Sequence, residues 1–232
     1  PTWGMQCGSD MQPFATAAYA KLGKGDQAIR PLSFIAKAVC SPVQGGSFPE
    51  TAVENRSAYF SPSAGVFAQE VIESIFGLRR DEISGIGRFS PCFPRDWDRA
   101  ELQLPKAGLA YQQKNGVHTF RLRMENGARK EFLWRLPPYG KITAKVDHQP
   151  AEVFTRKGCG WFEAKIQLGE KTEYLVEISY TPISFTLRYP KVAACGDKFS
   201  LQVEGGWLEG LDDRCGLFSR VAFGEQNQLQ GI

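Results

Sequence analysis

The sequence predicts an α+β chain in which helices come first and an antiparallel β-sandwich follows. Apolar residues in the first part recur about every 3.6 residues, which is typical of amphipathic helices. After Gly85 the period changes to 2, and Asn-Gly pairs separate short alternating segments, as in strands joined by tight turns. We therefore predict helices in residues 1–84, a sandwich in residues 85–182, and an additional β strip or the start of a further domain in residues 183–232.

Three helices are predicted in the first segment. The first runs from about Gln12 to Leu22, and the second lies between Asp26 and Cys40. Pro31 predicts that the second helix begins late or bends, because proline disrupts a helix interior. The third helix has the strongest signals, since Ser61 is a good N-cap, Pro62 suits the first helical position and Gly77 suits a left-handed C-terminal cap. Its apolar residues follow helical spacing, and Glu70 falls outside that stripe.

A meander of antiparallel strands is predicted between residues 100 and 136. Asn-Gly pairs at 115–116 and 126–127 favour two-residue hairpin turns between apolar-alternating runs. Further strands are expected at Lys141–Val146, Trp161–Leu168, Thr172–Thr181, Ile183–Tyr189 and Phe199–Val203.

Three tryptophans and one histidine in the β part raise the question of packing or binding. Trp97 lies in a loop rich in Pro and Asp, where we expect it to plug the space between domains, with carbohydrate binding as the alternative. Trp134 and Trp161 fall on strands and are expected in the sandwich core. His118 points to the same face as Phe120, and no role is assigned to it.

The composition argues against several classes of protein. The 232 residues include 28 Lys and Arg and 25 Asp and Glu, for a net charge of +3. Because the charges are interspersed, nucleic acid is disfavoured as a main partner. No apolar run approaches the roughly 18 residues of a membrane helix, so no membrane partner is expected. The six cysteines stand singly, which disfavours a zinc site, and we expect no cofactor or metal.

The loop from Ser41 to Ser61 contains the residues best suited to catalysis. It is long for a connection between two helices, and long loops in compact domains are usually functional. The glycine pair at 45–46 allows unusual backbone angles, and Pro49 stiffens the chain before Glu50. A carboxylate held in a fixed direction suits a general base or a nucleophile. The alternative is that Glu50 is an ordinary solvated loop acid or a helix cap.

Three sequence strings carry a resemblance to a known group of enzymes. They are GSFPE at 46–50, IFGLRRDE at 75–82 and FSPCFPRDWDRAEL at 89–102. In this order, with a Ser-Pro-initiated last helix, they resemble the C-terminal end of the six-hairpin (α/α)6-barrel glycosidases. The likeness is to the glucoamylase, glycogen-debranching and rhamnosidase-like branches, in which a Pro- and Trp-containing linker joins the last barrel helix to a β-sandwich. The resemblance covers about residues 10–180.

This resemblance implies half of a catalytic site. The three helices would be the last of the barrel, and Glu50 would be the general base, with Glu54 as the second candidate. The general acid of such enzymes comes from the middle of the barrel, before this chain begins, so the chain alone is expected to be inactive. The parent enzyme would hydrolyse a glycosidic linkage of an oligo- or polysaccharide, by inversion. Thr51 and its neighbours depart from many relatives, so substrate specificity does not transfer.

The resemblance also places the first loop, residues 1–11, on the active-site face. Trp3 would then stack on a sugar ring, while Gln6 and Asp10 would bind hydroxyl groups. The alternatives are that Trp3 is barrel core and that Asp10 is a helix cap.

Other functions remain open from the sequence. The chain could be a non-catalytic carbohydrate-binding or scaffold module, or a subunit whose barrel is completed by another chain. If the chain is instead a segment of a glycosidase, its partner would be the missing N-terminal part of the barrel. A start at Pro1 leads us to expect a processed or excised N-terminus. The resemblance favours a secreted or periplasmic location, with the cytoplasm as the alternative.

Overall fold

A computed structural model gives the fold of the chain. It describes residues 12–42, 45–50, 59–81, 83–125, 129–137, 139–158, 161–183, 186–190, 192, 194–204, 221–224 and 228–231. The chain divides into two compact units, Pro1–Tyr180 and Thr181–Ile232. The described residues form three α-helices and are otherwise mostly β-sheet, which confirms the α+β class. The finer prediction of a barrel end followed by a sandwich stays a prediction.

The three helices lie close to where the apolar periodicity predicts them. They are α1 (Phe14–Lys21), α2 (Gly25–Val39) and α3 (Ser61–Glu70). Helix α2 contains Pro31 in its interior, so the expectation of a later start is wrong. Leu32 and Ile35 on this helix are buried. Burial of such side chains contributes roughly 1.5–3 kcal/mol each, enough to offset the cost of an interior proline.

Helix α3 continues directly into a π-helix at Val71–Ile75. The wider turn is visible where the backbone N–H of Phe76 donates to the carbonyl of Val71 at 3.0 Å. Glu70, which falls outside the apolar stripe of the sequence, is nevertheless buried, and its carboxylate accepts a hydrogen bond from the hydroxyl of Ser74. A π-turn changes the rotation of the side chains around the helix axis, so strict helical spacing does not describe this end. Gly77 follows with φ +67°, which confirms the left-handed cap.

Eleven strands of the first unit form two sheets in the described part of the chain. The strands are β1 (Leu78–Arg80), β2 (Gly87–Phe89), β3 (Arg99–Gln103), β4 (Ala107–Lys114), β5 (Val117–Met124), β6 (Lys130–Leu136), β7 (Tyr139–Val146), β8 (Gln149–Ala151), β9 (Phe154–Gly158), β10 (Trp161–Leu168) and β11 (Glu173–Pro182). The five-stranded sheet has the order β1-β2-β6-β10-β9, and the six-stranded sheet has the order β3-β4-β5-β11-β7-β8. Strands β2 and β6 pair in parallel, whereas β10 pairs antiparallel with both of its neighbours.

One of the two predicted hairpins is present, and the prediction of the other is wrong. Strands β4 and β5 pair antiparallel through a turn in which Asn115 has φ 52° and Gly116 has φ 74°, as a type I′ turn requires. Strands β5 and β6, which flank residues 126–127, belong to different sheets. The ring of Phe120 on β5 lies 4.8 Å from that of Phe132 on β6. The apolar faces of the two strands therefore pack against each other across the core, as the inner faces of two packed sheets do.

An aromatic stack connects the end of the helical segment to the six-stranded sheet. Phe93 meets Phe76 edge-on at 5.3 Å and stacks on Tyr111 at 4.9 Å. Trp97 stacks on the same Phe93 ring at 6.0 Å and is only partly exposed. This packing favours the plug interpretation of Trp97 over an open sugar platform.

The second unit contains one four-stranded sheet in its described part. Its strands are β12 (Thr186–Arg188), β13 (Phe199–Glu204), β14 (Val221–Gly224) and β15 (Gln228–Gly231), in the order β12-β13-β15-β14 with antiparallel pairing. The last two strands are not evident from the sequence, because residues 207–232 are rich in turn formers.

Candidate functional site

The described backbone before Glu50 contacts the end of α2. Gly45 and Gly46 have φ +57° and +90°, which confirms the unusual angles expected at this glycine pair. The N–H of Gly46 donates to the carbonyl of Val39 at 3.0 Å. The described start of the loop is therefore attached to the end of the helix.

The residues immediately before Glu50 are attached to the beginning of α3. The hydroxyl of buried Ser63 donates to the carbonyl of buried Pro49 at 3.2 Å. The backbone N–H of Phe60 donates to the carbonyl of Phe48 at 2.7 Å. Glu50 follows directly and is half-buried. Two hydrogen bonds from one helix start thus fix the backbone that carries this carboxylate.

The other predicted site residues lie outside the described residues. They are the second base candidate, Glu54, and the three sugar-binding candidates of the first loop, Trp3, Gln6 and Asp10. Their positions relative to Glu50 stay predictions.

A cleft of about 570 Å³ lies in the first unit, away from the described part of the Glu50 loop. Its walls come from α1, the π-helix and the outer face of the five-stranded sheet. The described lining includes six basic side chains: Lys21, Arg79, Arg88, Arg135, Arg156 and Lys165. It also includes three acidic ones: Glu73, Glu131 and Glu163. Glu50 is absent from the described lining, so this cleft is distinct from the loop that carries it.

Glu131 is a buried carboxylate at the floor of the cleft. It accepts hydrogen bonds from Arg88 Nε at 2.6 Å and from Lys165 Nζ at 2.5 Å. These two cations lie on β2 and β10, the strands on either side of β6. Burial alone would raise the pKa of Glu131, but hydrogen bonds from Lys165 and Arg88, with their charges, hold it below its usual value. The carboxylate is therefore ionised at neutral pH and fixes both cations.

Glu163 forms a similar arrangement one strand further along. It pairs with Arg135 Nη2 at 2.9 Å and with Arg156 Nη2 at 3.5 Å. Arg135 also donates to the carbonyl of Ala20 at 3.5 Å and to the hydroxyl of Ser90 at 3.3 Å. This one guanidinium thus joins α1, the linker after β2 and the sheet.

Trp161 lies on the outer face of the sheet, and the expectation that it belongs to the core is wrong. On β10 the buried apolar positions are Ala164, Ile166 and Leu168, and Trp161 alternates with them, on the same face as Glu163. The guanidinium of Arg135 lies 5.3 Å from the centre of its ring, a cation–π contact. An aromatic residue on a strand is expected in the core only if it lies on the face of the strand that packs inward.

His118 is buried within an aromatic cluster and is neutral at physiological pH. Its Nδ1 lies 3.0 Å from the hydroxyl of Tyr111, and its ring packs against Trp134 at 4.5 Å and Tyr180 at 5.5 Å. Burial lowers the pKa of His118 to about 4. The side chain is a packing element here and not an acid or base open to a ligand.

The described residues hold no group of three or more His, Cys, Asp or Glu side chains placed to bind a metal ion. Among the helices that the structure describes, none is both long and apolar enough to cross a bilayer.

Sequence reasoning missed the cleft. Five of the nine charged residues in its described lining lie at alternate positions of β2, β6 and β10, which is a visible pattern in the sequence. However, the pattern does not show that these three strands are neighbours. Arg88 and Glu131 are 43 residues apart in the chain, and only the parallel pairing of β2 with β6 brings them together.

The chain has distant structural likenesses to solved proteins, among them the following two. The first is an α-L-rhamnosidase from Dictyoglumus thermophilum, with a TM-score of 0.35 and 14% identity, covering 58% of this chain and 15% of the rhamnosidase. The second is a GH127 β-L-arabinofuranosidase from Geobacillus stearothermophilus T6, with a TM-score of 0.34 and 13% identity, covering 85% of this chain and 35% of that enzyme. No family model and no curated protein matches the chain. Both similar proteins are glycosidases. TM-scores of 0.35 and 0.34 are too low to show the function of this chain.

Proposed function

We propose that this chain is part of a glycoside hydrolase in which Glu50 is the base carboxylate of a two-carboxylate, inverting site. The observation that carries the proposal is the attachment of the Pro49–Glu50 backbone to α3 through the hydroxyl of Ser63. A general base must be held in a fixed direction toward the water that it activates. An ordinary solvated loop acid has no need of such a support.

In this mechanism Glu50 takes a proton from a water molecule as the water oxygen attacks the anomeric carbon. The glycosidic bond breaks at the same time, and its oxygen receives a proton from an acid. That acid is proposed to come from outside this chain, either from the same polypeptide or from a partner subunit. Room for the water requires the two carboxyl groups to lie about 6.5–9.5 Å apart.

We expect Glu50→Gln to lower kcat by roughly 10²–10⁴-fold with little change in KM, because the amide cannot accept the proton of water. The measurement uses the polypeptide as its gene encodes it, with a panel of 4-nitrophenyl glycosides. The anomer that forms first, followed by ¹H NMR, reports inversion. Glu152→Gln is the matched control, since this exposed carboxylate lies on another part of the first unit, and its turnover is expected to match wild type.

Two further variants test whether Ser63 positions the base and whether Glu50 or Glu54 is the base. Ser63→Ala removes the hydrogen bond to the Pro49 carbonyl but leaves the carboxylate in place, and a smaller loss of kcat is expected. Near-normal turnover in Glu50→Gln would refute the assignment. If Glu54→Gln loses turnover instead, Glu54 is the base. If the wild-type protein shows no hydrolysis but oligosaccharides quench its tryptophan fluorescence saturably, the carbohydrate-binding module is the better account.

A further inference from the structure

We propose that the cleft between α1, the π-helix and the outer face of the five-stranded sheet binds a small molecule through an oxyanionic group. The group would be a carboxylate, a sulfate or a phosphate. The proposal does not depend on the role of Glu50, because the described cleft lining excludes that residue.

The charge of the cleft favours an anion. Six basic side chains face three acidic ones in the described lining. Glu131 and Glu163 are each shared by two cations, so each buried carboxylate leaves one positive charge in excess. An anion entering the cleft therefore meets a surplus of positive charge at close range, in partly buried surroundings where it is poorly screened.

The cations are held in place before any ligand arrives. Binding a ligand through a long flexible side chain normally costs conformational entropy, because the side chain must become ordered. Here Glu131 already orders Arg88 and Lys165, and Glu163 orders Arg135. Arg88 contacts Glu131 through Nε, so its two Nη groups keep donor capacity for a ligand oxygen.

The donor groups that line the cleft indicate that the ligand must carry acceptor atoms. Guanidinium and ammonium groups only donate, so a ligand that contacts several of them needs several oxygens.

The size of the cleft limits the ligand. A volume of about 570 Å³ is within the range of small-molecule sites, and it exceeds that of a single inorganic ion. Leu133 and Phe154 add apolar surface to the lining. An acidic sugar or a phosphorylated or sulfated small molecule satisfies both the charge and the volume.

The experiment measures binding to the chain by calorimetry and by the shift in Tm. The probes are glucuronate, sulfate and inorganic phosphate at constant ionic strength set with sodium chloride, with glucose as the neutral comparison. Saturable binding of at least one anionic probe and none of glucose is expected. Binding of glucuronate alone indicates an acidic sugar, and binding of all three indicates a general oxyanion site.

Arg156→Gln is the test variant, because its side chain lines the cleft, is 70% exposed and is not needed for the core. We expect about tenfold weaker binding, as for loss of one charge-assisted hydrogen bond. Arg95→Gln is the matched control: it removes the same charge from an 87% exposed arginine that pairs with Asp26 outside the described lining. Its affinity should equal that of wild type.

Two results would overturn the proposal. One is the absence of saturable binding by every anionic probe. The other is an equal loss of affinity in Arg156→Gln and Arg95→Gln, which would show a response to net charge only. Glu50→Gln should bind the probes as wild type does, so failure of the catalytic assignment and failure of the anion site are distinguishable.

Discussion

Gly77→Ala is expected to lower the free energy of unfolding by about 4 kcal/mol, a large share of the stability of a typical domain. Gly77 has φ +67°, where a residue with a Cβ is strained. A Cβ at this position would lie 2.0 Å from the carbonyl carbon of Ser90 and 2.6 Å from the nitrogen of Pro91. Both atoms belong to backbone that is held by a hydrogen bond from Ser90 N–H to the Gly77 carbonyl at 2.9 Å. Urea unfolding at pH 7.5 measures the loss.

Gly116→Ala is the matched control for the Gly77 substitution. Gly116 also has a positive φ, at +74°, but nothing lies within 4 Å of the position that an alanine methyl group would occupy. Only the backbone penalty of about 1 kcal/mol applies there. Gly77→Asn separates the two effects, because Asn tolerates a positive φ but keeps the Cβ clash, and it should be nearly as damaging as Ala. Equal shifts of the urea midpoint in Gly77→Ala and Gly116→Ala would contradict this account.

Acid is expected to destabilise the wild-type protein by up to about 3 kcal/mol more than the His118→Phe variant. Burial lowers the pKa of His118 to about 4, against an ordinary value of 6.5. The unfolded chain therefore binds this proton at a higher pH than the folded chain does. The stability that the neutral ring provides is complete above pH 6.5 and is lost as the pH falls from 6.5 to about 4.

The measurement is the free energy of unfolding in urea at half-unit steps between pH 4 and 7.5. The difference between wild type and His118→Phe isolates this group from the carboxylates that titrate in the same range. His148→Asn is the control, since His148 is the second histidine of the chain, and its imidazole is 75% exposed. Because this variant keeps His118, it should retain the loss of stability in acid that His118→Phe lacks. The burial argument fails if the wild-type and His118→Phe curves are parallel.

Local chemistry made the element boundaries predictable. Gly77 ends the helical segment with a positive φ, and the Asn-Gly pair at 115–116 forms the expected turn. Helix α3 begins one residue before the expected position, and the prediction of Ser61 as its N-cap is wrong, because Phe60 is the N-cap and no side chain caps the helix. Strand β10 has the predicted bounds, Trp161–Leu168. Each of the confirmed features depends on a few adjacent residues, so the sequence contains the whole physical cause.

Features that depend on distant residues were not predictable in this way. The same Asn-Gly chemistry at 126–127 predicts a hairpin, yet the aromatic faces of β5 and β6 pack across the core. Trp161 looks like a core residue until the inner face of β10 is known. For the candidate site, the sequence indicated the stiff loop at Glu50, but the partners that hold it, such as Ser63, are on another element.

The parallel pairing of β2 with β6 has a consequence for how the chain folds. The intervening residues include β3, β4 and β5, which pair with one another in the other sheet. Closing a loop of this length costs about 3 kcal/mol of chain entropy, and the contacts that repay the cost form only afterwards. The β3–β5 meander can form early from near neighbours, and its formation shortens the effective loop. The five-stranded sheet, and with it the floor of the cleft, is therefore expected to form after the β3–β5 meander.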